Sequence, residues 1–435
     1  MFIGNNRNKI QGGSLFMLDR EKVGRAISTQ RKIKGMTQKQ LADLLNVSYQ
    51  AVSRWEQGIS LPSVDMIYDI SHLLETTVDF LLNGSSEEEH EISYLDAGLD
   101  IKKLYLLKDK LSRLTTQNDM LLHAKYIDPI FFKPNTTELE DPVYVLANHV
   151  PGSKERLAME HGYDREICMD LAANAINNLI RFGAKPVLLQ ATIVCGNHDS
   201  GQILIMGEAF KETCENNNIA FAGLELAAQP INYHPNEYKI NASIIGIADR
   251  KKLITGNQIT EGDRIIGLHT EGISSLSYPI IKVMIDRKPE IIYTKLNCHS
   301  TFIDELMKPN TSYAAVVWEL YTQGLLHGIF CISNSLFRRR SYSSMPEGLG
   351  AAISAASIPL SPLFHYLYHL NMMNKECFFH HFSFGIGMLL VISETSFDKA
   401  IKIIEKHHKY YIMGKIKKND SYPDEKVWIE GAVKW

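Results

Sequence analysis

The stretch TQKQLADLLNVSYQAVSRWEQG, residues 37–58, encodes two helices too short to persist alone, joined by a tight turn. Thr37 is placed to cap the first, Gln38–Leu45, with Leu41, Leu44 and Leu45 facing inward. Asn46-Val47 makes the connection. Ser48 caps the second helix, Tyr49–Gln57, and Gly58 ends it. This is a helix-turn-helix arrangement. Working outward, Glu21–Lys34 reads as a helix with Val23, Ile27 and Ile33 on one face and Gly35 as its stop. Pro62-Ser63 opens a fourth helix through Leu74, and Thr77–Leu82 makes a fifth. Ala51, Val52 and Trp55 belong to the packing between them.

The same residues resemble the XRE (Cro/repressor-type) DNA-binding domains. The match runs through the turn, the third helix, the W-E-Q-G exit and the later P-S-V-D and V-D-F-L-L-N-G elements. Such a fold lays its third helix in the major groove, with the helix start facing base edges. That places Ser48, Tyr49, Gln50, Ser53 and Arg54 at the DNA. Gln50 carries the two-pronged amide that suits adenine, and Arg54 reaches guanine or phosphate. Gln38 and Lys39 open the second helix, where a backbone N–H and a cation would meet the phosphate chain. Residues 20–54 hold eight Lys or Arg against Glu21 and Asp43, so the positive charge gathers on this segment. The plainer reading is a small helical bundle used for protein contacts.

The whole chain has 435 residues and a net charge of -3. That length suits two to three domains of ~150 residues, and the charge excludes a polybasic surface gripping nucleic acid along its whole length. With 45% hydrophobic and 22% charged residues, it is neither disordered nor fibrous. The six cysteines (Cys168, Cys195, Cys214, Cys298, Cys331 and Cys377) form no C-x-x-C pair, which argues against zinc and a disulfide scaffold and for a reducing cytoplasm. The first 20 residues hold no apolar core of a signal peptide, and no apolar run is long enough for a membrane span.

Residues 1–17 read as a loose polar arm and 18–83 as the all-α head. Residues 84–91, GSSEEEHE, form an acidic linker without an apolar anchor. Beyond them, helical stretches such as 166–182 alternate with strand-like ones such as 186–195 and 264–269, which predicts an α/β or α+β body. The polar segment 248–263 divides that body into 92–250 and 251–435.

The body resembles phosphoribosylformylglycinamidine cyclo-ligase, the aminoimidazole ribonucleotide synthetase. The resemblance rests on SYLDAGLDI at 93–101, EICMDLAANAINNLIRFGAKP at 166–186, FAGLELAAQP at 221–230, ITEGDRIIGLHTEG at 259–272 and HFSFGIGM at 381–388. It covers roughly residues 92–432 and implies that family's two-domain α/β fold. It also implies a dimer whose N-terminal domains pool strands into one barrel, and a chemistry that needs ATP with a metal ion, hence carboxylate ligands.

The sequence departs from that family where its chemistry lies. The family's T-D-G-V-G-T-K loop reads Asn148-His149-Val150-Pro151-Gly152-Ser153-Lys154. Its V-N-D reads Ile176-Asn177-Asn178, its L-D-Y reads Gln190-Ala191-Thr192, and the second acid of G-G-E-T-A-E is Ala228, while Glu225 remains. Its G-P-H-S-N-G turn reads Gly272-Ile273-Ser274-Ser275-Leu276-Ser277, and its H-x-T-G-G-G loop reads Cys331-Ile332-Ser333-Asn334-Ser335-Leu336. Carboxylates and flexible glycines are lost together. The expectation is a retained scaffold with no catalytic residue, no metal site and no obligatory cofactor.

His149, Ser153, Lys154, Asp170, Asn177, Asn178 and Glu225 remain as a candidate pocket for a nucleotide or other phosphate-bearing effector; otherwise they are relics bonded to one another. Arg338-Arg339-Arg340 reads as a solvated loop. His380-His381, as neighbours on a strand, would point to opposite faces and suit no shared metal. The expected protein is a DNA-binding transcriptional regulator acting as a homodimer on an inverted-repeat operator. The alternatives are an active ATP-dependent cyclo-ligase that binds its own operator, and a defence or interaction module with a self-repressing head.

Overall fold

The computed structural model describes residues 18–83, 93–116, 121–123, 130–196, 199–235, 237–419 and 425–433. The expected arm at 1–17 and linker at 84–91 lie outside the described residues. The chain divides into one unit at 1–93 and another at 94–435, each with its own hydrophobic core.

The head consists of α1 (Arg20–Ile33), α2 (Gln38–Leu44), α3 (Tyr49–Glu56), α4 (Val64–Leu73) and α5 (Val78–Asn83). Local chemistry sets their starts. Thr37 Oγ1 accepts from the Gln40 N–H at 3.2 Å, and the Gln40 side chain accepts from the Thr37 N–H at 2.8 Å, a reciprocal capping box. Ser48 Oγ accepts from the Ala51 N–H at 3.2 Å. Between these helices Asn46 takes a left-handed φ of 54°, which an asparagine tolerates better than most residues. Val23, Ile27, Leu41, Val52, Trp55 and Ile70 are buried. Two apolar residues expected inside face outward instead: Ile33 is 69% exposed and Leu44 57%. At the centre α1 presses on the exit of α3, where a Cβ on Gly24 would lie 2.3 Å from the Trp55 carbonyl oxygen. Only glycine permits that approach.

The body opens with α6 (Ile101–Ser112), β1 (Leu121–His123) and β2 (Phe131–Phe132). Its first half continues through β3 (Pro142–His149), α7 (Lys154–His161), α8 (Asp164–Ile180), β4 (Lys185–Cys195), α9 (Ser200–Asn216), β5 (Ala220–Ala228) and β6 (Tyr238–Asp249). The second half runs through β7 (Arg264–His269), α10 (Tyr278–Arg287), α11 (Phe302–Met307), α12 (Ala314–Thr322), β8 (Gly328–Cys331) and β9 (Leu349–Ser354). It ends with α13 (Pro362–His369), α14 (Lys375–His381), β10 (Ile386–Ile392), α15 (Phe397–His407), β11 (Tyr410–Lys418) and β12 (Val427–Glu430).

Two sheets organise these elements. The first has the order β3-β6-β4-β5, with β4 and β5 parallel and the other pairs antiparallel. The second has the order β12-β9-β11-β7-β10-β8, antiparallel except for β12 beside β9. Helices α8 and α9 pack on one face of the first sheet. They carry small and branched apolar residues there, among them Ala172, Ala175, Ile176 and Met206. On the opposite face β1 and β2 shield one end, where Leu121, Leu188 and Ile247 cluster with Phe132. The rest of that face is open: Tyr144 is 63% exposed and Leu146 71%. His380 and His381 end α14, a helix and not the strand expected.

Candidate functional site

On the head, α3 buries Val52 and Trp55 and turns its other side outward. Gln50, Ser53 and Arg54 stand three and four residues apart, so they share one helix face. Gln50 and Arg54 are exposed, Ser53 is half-buried, and Ser48, Tyr49 and Lys39 are exposed. Gln38 does something the sequence did not disclose. Its side-chain amide donates to Glu56 at 2.8 Å. Glu56 also receives both prongs of Arg31, Nε at 2.5 Å and Nη2 at 2.9 Å, while Arg31 Nη1 donates to the Met36 carbonyl at 2.5 Å. Arg31 is thus a buried clamp and not part of the basic surface. Burial alone would raise the Glu56 carboxyl, but the hydrogen bonds from Arg31 and Gln38 outweigh it and hold the group below its ordinary value. The clamp ties α1, the start of α2 and the end of α3 together, which fixes the pose of the exposed face.

In the body a cleft of about 780 Å³ opens beside the C-terminal end of β3 and the outer turns of α8. His149, Ser153, Asn177 and Asn178 line it as expected. Asn177 is already occupied by main chain: its amide donates to the Thr311 carbonyl at 2.8 Å and accepts from the Tyr313 N–H at 3.0 Å.

Three members of the expected pocket are elsewhere. Lys154 and Asp170 are wholly buried and bonded to each other at 2.8 Å. Lys154 also donates to the Lys308 carbonyl at 2.9 Å, and Asp170 accepts from the Asn310 N–H and the Asn174 amide, each at 2.9 Å. Glu225 lies on the open face of the first sheet, level with Thr192, and pairs with Lys108 at 2.9 Å. Strand alternation explains this: the residue before or after it would face the helices, and Glu225 faces away from them.

The arginine loop is exposed, as expected of a solvated loop, and it also borders the cleft. Arg338 and Arg340 line the cleft, as does Arg181 at the end of α8. Arg181 went unnoticed in the sequence, its one signal being a cation directly after an apolar helix. Arg181 Nε is buried without a hydrogen-bond partner, and its guanidinium lies 4.3 Å from the Phe182 ring centre.

The other titratable groups of the cleft are neutral. Burial lowers the His149 imidazole, more than its main-chain bond to Asn174 and the nearby Asp170 raise it. Burial pushes the Cys331 thiol up to about 11, against the pull of Arg181. Burial likewise raises the Tyr313 phenol. No Asp or Glu is among the lining residues. A divalent cation needs oxygen ligands, mostly carboxylates, so this cleft does not fit the metal-nucleotide complex that the cyclo-ligase resemblance implies. Among the described residues, no three His, Cys, Asp or Glu side chains gather to hold a metal, and no helix is long and apolar enough to cross a membrane.

Residues 27–81 match the family model for a helix-turn-helix, HTH_3. The body is similar to phosphoribosylformylglycinamidine cyclo-ligase of Oceanobacillus iheyensis, 28% identical over 326 residues, covering 74% of this chain and 96% of that one. The Bacillus subtilis cyclo-ligase is 26% identical over 333 residues, covering 75% and 96%. Among solved structures, thiamine-monophosphate kinase from Stenotrophomonas maltophilia superposes with a TM-score of 0.53 at 13% identity, covering 75% of this chain and 96% of that one. Hydrogenase maturation protein HypE in complex with ATP superposes with a TM-score of 0.52 at 12% identity, covering 76% and 92%. The chain therefore joins an XRE-type HTH_3 helix-turn-helix head to a body of the aminoimidazole ribonucleotide synthetase-like, PurM-like fold.

Proposed function

We propose that this protein is a sequence-specific transcriptional regulator of the cytoplasm, in which the head reads double-stranded DNA and the cyclo-ligase-like body dimerises without catalysing ring closure. The observation that carries the reading is the face of α3: Gln50 and Arg54 are free for base edges on a helix whose pose a buried clamp fixes. Dimerisation is supported by the open face of the first sheet, where Tyr144 and Leu146 expose apolar area of the kind that a second copy covers. Two heads held in one dimer gain effective concentration on an inverted repeat.

Binding of genomic fragments at about 100 mM salt tests this. The expected result is one defined inverted repeat. Gln50→Ala with Arg54→Ala should weaken it by roughly 30-fold or more, since a good bidentate base contact is worth about 1–3 kcal/mol. Leu146→Asp should reduce the footprint to half-sites. Absence of specific binding, or binding indifferent to Gln50 and Arg54, would refute the regulator.

The loss of catalysis is supported by the carboxylate-free cleft. Mixed with ATP, Mg²⁺ and formylglycinamidine ribonucleotide, the protein should release no ADP above the rate without the ribonucleotide. Coupled ADP release would restore the reading as a self-regulating ligase.

A further inference from the structure

Two large depressions among the described residues of the body handle their charges differently. One, of about 800 Å³, is lined by Arg156, Lys239 and Lys282, together with Glu155. Each of its cations is already paired: Arg156 with Glu160 and Glu237, Lys239 with Glu155, and Lys282 with Asp286. The other is the cleft of Arg181, Arg338 and Arg340. None of these three makes an ion pair with a carboxylate among the described residues; Arg338 donates only to the neutral Asn334 amide at 3.0 Å. With His149, Cys331 and Tyr313 neutral and no acid in the lining, the three guanidiniums set the field of the cleft.

We propose that this cleft binds a small phosphorylated polyanion without a metal ion, held by Arg181, Arg338 and Arg340. The inference deepens the regulatory reading, on which it rests for any effect on DNA but not for the binding itself. Guanidinium groups meet phosphate oxygens with two parallel hydrogen bonds, a geometry an ammonium lacks. Low-dielectric walls concentrate the field of like charges in a concave site. Ser274, Ser275 and Ser333 add neutral donors; Ser275 matches the serine of the cyclo-ligase turn, while Ser274 and Ser333 stand where that family has His and Thr. The buried Arg181 Nε would gain the acceptor it lacks.

The dimensions suit a small ligand: pockets of about 300–1,000 Å³ enclose molecules of drug or nucleotide size, whereas a DNA duplex is too wide to enter. A dication would meet three positive charges and no carboxylate, so chelation by Mg²⁺ removes the ligand instead of bridging it.

Titration calorimetry of the full chain with inorganic pyrophosphate in EDTA is the test. Saturable 1:1 binding per chain is expected, weakened when Mg²⁺ replaces EDTA. Arg338→Ala with Arg340→Ala should weaken it at least about 10-fold, since a hydrogen bond to a charged group is worth about 1.5–3 kcal/mol, or roughly 10- to 150-fold. Both side chains are exposed, so the fold should survive, which the unliganded melting temperature checks. Gln50→Ala with Arg54→Ala must leave pyrophosphate binding intact, which excludes the head as its site. No binding, binding that requires Mg²⁺, or binding untouched by loss of Arg338 and Arg340 overturns the inference. A protein that binds its DNA repeat yet gives no pyrophosphate heat loses this inference and keeps the regulator; the opposite pair of results does the reverse.

Discussion

Replacing Glu56 by alanine should unfold the head and leave the body folded. Arg31 and Glu56 have side chains only 9% and 5% exposed, and their bidentate contact is the most buried ion pair of the head. Removing one partner strands the other charge, at a cost of about 3–5 kcal/mol. A domain of this size has roughly that much stability in total. Scanning calorimetry should show the transition of the head lost or lowered by more than about 10 °C, with DNA binding gone and the body transition unmoved. A head transition within a few degrees of the parent would sink the claim. Arg31→Met combined with Glu56→Leu should recover much of the loss, because that double change strands no charge. The pH dependence has a definite sign. Glu56 is held below its unfolded value, so its contribution is full above that value and disappears as pH falls through the lower, folded one. The head of the parent should therefore melt on acidification in a step that Glu56→Gln lacks.

Much of the head was legible because its signals are local. Thr37, Ser48, Asn46 and Gly58 mark starts and turns within a few residues of where they act, and the helices begin and end where those residues place them. The two misread residues fail for a geometric reason. Ile33 lies six residues past Ile27, which is about 240° around the helix at 100° per residue, so it never shared the face of Val23 and Ile27. Leu44 lies at the rim of the stripe that Leu41 and Leu45 define, and it turns to solvent. In the body, the stretches 166–182, 186–195 and 264–269 coincide with α8, β4 and β7 because periodicity is also local. The cleft was harder. Arg181 and Arg338 are more than 150 residues apart, and nothing in either neighbourhood states that a helix end and a loop of the other half meet. For Lys154 and Asp170 the sequence left two readings open for the same reason, ligand site or relics bonded to one another, and the structure shows the second. Survival of a charged residue looks like a ligand site until Lys308 and Asn310, supplied from the second half of the body, are seen to satisfy it.

That burial leads to the second large effect. Asp170→Ala should destabilise the body by about 3–5 kcal/mol, because Lys154 would lose its partner in a site with no access to water. The same change frees the Asn310 N–H and the Asn174 amide, both of which now donate to Asp170. The Lys154–Asp170 cluster joins α7 and α8 of the first half to residues 308–310 of the second, so the cleft walls should loosen as well. Calorimetry should show the body transition lowered by several degrees while the transition of the head stays in place; an unchanged body transition would refute the structural role. Lys154→Met with Asp170→Leu removes both charges at similar volume and should regain most of the stability. That double variant also separates two uses of the lysine. If Lys154 held a phosphate, pyrophosphate binding would fall with it. Since Lys154 is buried in its bond with Asp170 and does not line the cleft, the folded double variant should bind pyrophosphate as the parent does, and the affinity should follow Arg181, Arg338 and Arg340 alone.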